Sequence, residues 1–97
     1  MRVLSWNVRG LRNKQRRASL CRYLSEWEID CALLQETHLE RENGQEWDCF
    51  KQSGHSDIVA KGAAGRSGGM AFWWRKSAIS VTEIFRDRFL ISCGCQS

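Results

Sequence analysis

Asn7 and Glu36 are the residues of this chain whose types and spacing could do chemistry. Asn7 stands in Ser5-Trp6-Asn7-Val8-Arg9-Gly10-Leu11, and Glu36 in Leu33-Leu34-Gln35-Glu36-Thr37-His38-Leu39. Each polar residue closes an apolar run. A carboxylate is a hard oxygen ligand, and magnesium needs only one or two of them because it keeps several waters. A carboxamide carries both an acceptor and donors, so it can orient a phosphate beside such a cation. Brought together, the two would begin a metal-dependent hydrolytic site. Left apart, they are a turn residue before Gly10 and a surface carboxylate at a strand end.

The elements around them decide which. Residues 2–8 read as a first strand, with Val3, Leu4, Trp6 and Val8 apolar and Gly10 ending it. Asn13 has the side chain of a helix N-cap. Ala18, Cys21, Leu24 and Trp27 then recur at helical spacing, Leu20 and Tyr23 widen the stripe, and the helix is expected to end near Glu28. Residues 29–35 form a continuous apolar run, which suits a buried parallel strand. Strand, helix, strand is a βαβ unit, whose crossover is right-handed. Asn7 and Glu36 are therefore expected at the same edge of one sheet, where the carboxyl ends of strands bind ligands in open α/β folds.

Farther along, residues 37–45 are polar and contain the turn signal Asn43-Gly44. Residues 47–52 suggest a short strand, and the glycine-bearing stretch 53–69 a loop. That loop lacks Walker spacing. Residues 70–74, 79–85 and 89–93 read as three strands of an antiparallel meander.

The chain has 97 residues and a net charge of +4, enough for one small domain and mildly favourable to an anionic partner. Arg9, Arg12, Lys14, Arg16, Arg17 and Arg22 crowd the first quarter. This block suits nucleic acid, although a solvated helix face would look the same. Its hydrophobic content of 42% argues against whole-chain disorder. The five cysteines, Cys21, Cys31, Cys49, Cys93 and Cys95, are an odd number without an apolar leader before them. They fit a reduced intracellular compartment, nuclear or cytoplasmic rather than secreted. Cys31 reads as core. A zinc site from Cys93, Cys95, Cys49 and His55 would match no standard spacing. No apolar run is long enough to span a membrane.

Three blocks in order, Ser5-Trp6-Asn7-Val8-Arg9-Gly10-Leu11, Leu34-Gln35-Glu36-Thr37 and Gly68-Gly69-Met70-Ala71-Phe72-Trp73-Trp74, resemble the N-terminal half of the endonuclease/exonuclease/phosphatase superfamily. That superfamily includes deoxyribonuclease I and the apurinic/apyrimidinic endonucleases. The form Leu34-Gln35-Glu36-Thr37-His38-Leu39 is most similar to the endonuclease domains of LINE-type (non-LTR) retrotransposons. The resemblance implies an α/β fold, part of a four-layer sandwich of two sheets flanked by helices. It implies a magnesium- or manganese-dependent phosphodiesterase acting on DNA. Glu36 would bind the metal, Asn7 would contact both metal site and scissile phosphate, and Gly68-Gly69 would open a core strand. Arg9 departs from apurinic-type members, which often carry an acidic residue there; a cation can meet a phosphate but cannot ligate metal. Thr37 and His38 are weaker candidates for support of the site.

The resemblance also implies a C-terminal half with a Tyr, an Asp-x-Asn pair and a Ser-Asp-His motif, supplying base and phosphate clamp. His55-Ser56-Asp57 has some of these letters in another order and reads as loop. The expectation is an N-terminal fragment, inactive alone, that is poorly soluble or self-associates through an uncovered sheet face, with Trp73, Trp74, Phe85 and Phe89 partly exposed or repacked. A noncatalytic nucleic-acid-binding module and an inert relic are the rival readings.

Overall fold

The computed structural model describes residues 1–64, 68–87 and 90–96, with the backbone alone at 83, 85–87 and 90–96. The chain runs β1 (Val3–Asn7), α1 (Lys14–Glu26), β2 (Cys31–Gln35), a 3-10 segment (Gln45–Gly54), β3 (Ser56–Lys61), β4 (Met70–Arg75), β5 (Ser80–Asp87) and β6 (Leu90–Gln96). The first four strands form one sheet in the order β1-β2-β4-β3. β1 and β2 are parallel, Val3 opposite Cys31 and Asn7 opposite Gln35, as a βαβ unit requires. β4 lies antiparallel between β2 and β3.

The helix starts where the sequence says it should. Asn13 Oδ1 accepts from the backbone N–H groups of Gln15 and Arg16 at 2.8 and 3.2 Å. Its buried residues are Leu20 and Leu24, four apart; Ala18 and Trp27, counted in the expected stripe, face solvent. The helix stops in a paired backbone cap: Glu28 N–H donates to the Ser25 carbonyl at 3.2 Å and Ile29 N–H to the Leu24 carbonyl at 3.0 Å. That geometry places Glu28 at φ 52°, a conformation glycine adopts most readily. Glu28→Gly should therefore stabilise the fold by about 0.5–1 kcal/mol, read as a higher urea midpoint at unchanged slope. A fall in the midpoint would show that the exposed Glu28 side chain does more than occupy the cap.

Two expectations about the middle of the chain are corrected. Residues 47–52 are not a strand. Trp47 and Phe50 are three apart, and the turn of a 3-10 helix brings such a pair onto one face; both are buried there, with ring centroids 5.8 Å apart. The segment kinks at Gln52 and Ser53, both left-handed. The stretch 53–69 is not all loop, because Ser56–Lys61 is β3, paired along its length to β4. The meander is also divided differently. β4 belongs to the first sheet, while β5 and β6 form a separate antiparallel hairpin with a register shift between Val81 and Glu83.

The four-stranded sheet is covered unequally. On the α1 face, Ala32, Leu34, Ala60, Ala71 and Trp73 pack with Leu20, Leu24, Trp47 and Phe50. On the other face, Cys31, Val59, Phe72 and Trp74 pack beneath Ile79. Trp73 and Trp74 are thus 0% and 7% exposed, contrary to the expectation that they would be uncovered. Trp73 faces α1 and the 3-10 segment, and its indole N–H donates to the Phe50 carbonyl at 2.7 Å. Trp74 stacks on Phe72. Among the described residues the exposed large apolar side chains are instead Met1, Val3, Trp6, Leu33 and Ile84, with Trp27 just after α1. The side chains of Phe85 and Phe89 lie outside the described residues.

Candidate active site at the carboxyl ends of β1 and β2

Asn7 is the last residue of β1, and Glu36 follows the last residue of β2. The parallel register does not stop where the strands do. Val8 N–H donates to the Gln35 carbonyl at 2.9 Å, Gly10 N–H to the Glu36 carbonyl at 2.7 Å, and Leu11 N–H to the Thr37 carbonyl at 2.8 Å. The two loops that carry Asn7, Arg9, Glu36 and His38 are therefore tied to each other by backbone bonds at one sheet edge. Leu11, Thr37 and Leu39 are buried beneath them and anchor the pair of loops in the core.

The backbone here is bent in an unusual way. Arg9, Gly10, Glu36, His38, Gly68 and Gly69 all have positive φ, four of them within the two loops. Non-glycine residues in this conformation each cost on the order of 1–3 kcal/mol and concentrate at functional sites. The bends turn Glu36 out of the strand's alternation. Its carboxylate Oε2 accepts from His38 Nε2 at 2.9 Å and from the Gly68 N–H at 3.4 Å. The His38 imidazole first, and the Gly68 N–H second, hold the Glu36 carboxyl below its ordinary value of 4.5. Asn7 Oδ1 accepts from the Arg9 N–H at 3.2 Å, which fixes the amide at the mouth of the same loop.

The pKa shift has a sign that can be checked. A carboxylate with a lowered folded pKa stabilises the fold above its ordinary value, and that contribution is lost as pH falls through the folded value. The window lies below pH 4.5. His38→Ala should move the Glu36 titration back toward the ordinary value and remove this part of the acid dependence. Side-chain carboxyl chemical shifts followed through an acid titration measure it. An unmoved Glu36 would assign the shift to Gly68 alone.

Gly68 and Gly69 do more than open β4. Their carbonyls accept from the N–H groups of His38 and Thr37 at 3.0 and 3.2 Å, so the pair grips the Glu36 segment from its far side. This role was missed in the sequence, although two consecutive glycines before an apolar strand are a signal for close backbone approach. Thr37 is fully buried, and its Oγ1 has no hydrogen-bond partner among the described residues. A Cβ on Gly69 would press on that hydroxyl.

The basic block divides by role. Arg16 donates to the Val8 and Arg9 carbonyls at 2.6 and 3.2 Å, Arg17 to those of Leu11 and Arg12 at 2.8 Å, and Arg12 Nε to the His38 carbonyl at 3.0 Å. Arg16 and Arg17 tie α1 to the loop after β1, and Arg12 ties that loop to the one after β2. Arg9 itself is exposed beside Asn7.

The donor set fits a weakly held, hydrated divalent cation. Glu36 is a carboxylate with its side chain 42% exposed, and Asn7 is an exposed amide oxygen. Among the described residues no group of three or more His, Cys, Asp or Glu could hold a metal by itself. The zinc set is in part undescribed, since the side chains of Cys93 and Cys95 lie outside the described residues. Cys49, counted in that set, has its sulfur 3.0 Å from that of Cys21.

No curated protein sequence matches the chain. Among solved structures, an AP endonuclease from Archaeoglobus fulgidus superposes with a TM-score of 0.65 at 22% identity, over 84% of this chain and 29% of that one. At that identity the likeness speaks for the fold, an α/β arrangement of deoxyribonuclease I type, and the chain spans under a third of its neighbour's length. Residues 4–95, which include Asn7, Glu36 and the Gly68-Gly69 pair, match the Endonuclease/Exonuclease/phosphatase family throughout. The chain belongs to that family.

Proposed function

We propose that this chain carries the metal- and phosphate-binding part of a DNA phosphodiesterase of LINE-retrotransposon type, acting in the nucleus or cytoplasm with magnesium or manganese. The observation that carries the reading is the backbone tie between the Asn7 and Glu36 loops at one sheet edge. It supports a site in which the Glu36 carboxylate and the Asn7 amide, on two loops joined by backbone bonds, would act on one phosphate. The LINE assignment rests on Leu34-Gln35-Glu36-Thr37-His38-Leu39.

In this reading Glu36 and Asn7 would hold the cation through their oxygens. A cation bound there would polarise a phosphoryl oxygen and offset developing charge. The Asn7 amide N–H groups donate to the phosphate, and the Arg9 guanidinium meets its outer oxygens as a charge-assisted partner. Hydrolysis also requires a base that takes the proton of the attacking water. Neither Asn7 nor Arg9 can do so, and Glu36 is committed to the cation. The base and the second phosphate clamp are the Asp, Asn and His that the family resemblance places after the segment seen here. By itself the chain is then a binding half-site without turnover.

Two measurements test this. Magnesium titration should shift the Glu36 and Asn7 resonances with a dissociation constant on the order of millimolar, because one carboxylate holds a hard ion loosely. Glu36→Gln should abolish the response; an identical response in that variant removes the metal assignment. Supercoiled plasmid incubated with the purified chain and magnesium should stay intact. Nicking that Glu36→Ala abolishes would instead make the chain a complete enzyme.

The uncovered side of β1 and β2, where Val3 and Leu33 are exposed, is the surface through which the chain would self-associate. Leu33→Glu should then return a sedimenting dimer to monomer. A second reading, a noncatalytic nucleic-acid module, is favoured by one observation. Exposed Trp6 and Trp27 flank half-buried Tyr23, with ring centroids 5.7 Å apart, a surface on which bases can stack. Salt-sensitive DNA binding that persists in EDTA and weakens in Trp6→Ala would support it.

A further inference from the structure

Cys21 on α1 and Cys49 on the 3-10 segment are far apart in sequence, yet their sulfurs lie 3.0 Å apart. Cys21 is half-buried and Cys49 exposed, and both are free thiols. A disulfide needs about 2.05 Å between sulfurs, so closing the bond asks for a movement of roughly 1 Å. The two elements are already fixed against each other. Leu20 and Leu24 of α1 share one core with Trp47 and Phe50 of the 3-10 segment, on either side of the cysteine pair. We propose that Cys21 and Cys49 are a reversible redox-modification site, at which a peroxide converts the thiol pair into a disulfide that ties α1 to the 3-10 segment.

The surroundings assign the roles. The Cys21 S–H donates to the Cys49 sulfur. That bond and the Arg17 guanidinium bring the Cys49 thiol down to about 7, against the opposing effects of burial and of Asp48. Donating that hydrogen bond to Cys49, together with burial, raises the Cys21 thiol. Cys49 is thus the exposed nucleophile and Cys21 the resolving partner held behind it, the usual arrangement of a peroxide-sensitive pair.

The steps balance. The Cys49 thiolate attacks one oxygen of hydrogen peroxide, the O–O bond breaks, and hydroxide leaves as Cys49 becomes a sulfenic acid. The Cys21 sulfur then attacks the Cys49 sulfur, the S–O bond breaks, and the departing hydroxide takes the Cys21 proton to leave as water. The thiol pair gives up two electrons and the peroxide accepts them. A dithiol reductant reverses the change by exchange. None of this depends on the nuclease reading.

The test uses the whole chain with hydrogen peroxide as the probe. Trypsin cuts after Arg17, Arg22, Arg41 and Lys51, so Cys21 leaves in peptide 18–22 and Cys49 in peptide 42–51. Oxidised wild-type protein should yield these two peptides joined, less two hydrogens, and dithiothreitol should separate them. Its thermal midpoint should rise by roughly 10 °C on oxidation and return on reduction, since the bond closes a long loop of the unfolded chain. Cys21→Ser should give no cross-link but should trap a dimedone adduct at Cys49. The proposal is overturned if wild-type protein takes Cys49 to sulfinic acid with peptide 18–22 unmodified. It is equally overturned if Cys49 couples to Cys93 or Cys95 in preference to Cys21. Both of those readouts come from wild-type protein and stand whether or not the serine variant folds.

Discussion

Trp73→Ala should lower the stability of this protein by about 3–5 kcal/mol, the range for removing a buried aromatic side chain from a packed core. Trp73 is wholly buried, centred on β4 between Ala32 of β2 and Ile58 of β3, and it reaches the 3-10 segment through its indole N–H. A domain of this length has about 5–15 kcal/mol in total. One substitution would therefore remove a large share of it. Trp73→Phe should cost less, because the Phe50 carbonyl that loses the indole still accepts from the Ser56 hydroxyl at 2.8 Å. Leu33→Ala, at a residue 45% exposed, should cost under about 1 kcal/mol. Urea unfolding of the three variants measures the order. If Leu33→Ala were as damaging as Trp73→Ala at a concentration where the chain is monomeric, the assignment of exposed surface would be wrong.

The second large effect is expected at Gly69. Its φ of +84° is unfavourable for any residue with a Cβ, and that Cβ would meet the Thr37 hydroxyl, Ala63 and the backbone of Ala63. Gly69→Ala should thus cost about 2–4 kcal/mol, the sum of left-handed strain and overpacking. Gly68 supplies the control. It has nearly the same φ, +79°, but open space where a Cβ would stand, so Gly68→Ala should carry the conformational part alone, about 1–2 kcal/mol. The difference between the two variants measures the contacts with Thr37 and Ala63. Thr37→Val in the Gly69→Ala background would not restore the loss, since a methyl takes the same room as the hydroxyl. The Gly69 carbonyl holds the Thr37 N–H. Gly69→Ala should therefore also displace the Glu36 resonances, as should Gly68→Ala through the Gly68 N–H that donates to the Glu36 carboxylate.

The sequence was most legible where local chemistry and tertiary packing agree. Asn13 is an N-cap by its side chain alone, and the apolar run that ends at Gln35 needs a strand buried between two neighbours. From these the parallel pairing and the shared sheet edge follow by topology. It was least legible where the partner, rather than the segment, decides. Ile58-Val59-Ala60 is a short apolar run among polar residues and glycines, and it is a strand only because β4 offers both a ladder and a tryptophan face. Trp47 and Phe50 suit a strand and a 3-10 turn equally well by residue type, and it is packing against α1 and Trp73 that selects the turn. At the site, the types of Asn7, Arg9 and Glu36 could be read. The left-handed turns at Arg9, Glu36 and His38 could not, because nothing in those side chains asks for positive φ. The arginines of the first quarter read as a charge patch, whereas much of their hydrogen bonding goes to carbonyls of the loops they follow.

The strand order has a consequence for how fast the fold can form. β3 and β4 are joined by a short connection, while β2 must find β4 across one about four times longer, an added closure cost of roughly 1.2 kcal/mol. The hairpin of β3 and β4 is then the natural nucleus, β2 zips onto its free edge, and β1 arrives last through its crossover. Contacts made by the last strand are absent at the rate-limiting barrier. Leu4→Ala should accordingly speed unfolding and leave the refolding rate nearly unchanged, whereas Val59→Ala should slow refolding. The sheet edge that carries Asn7, built on β1, is in kinetic terms the last part of the molecule to close and the first to open.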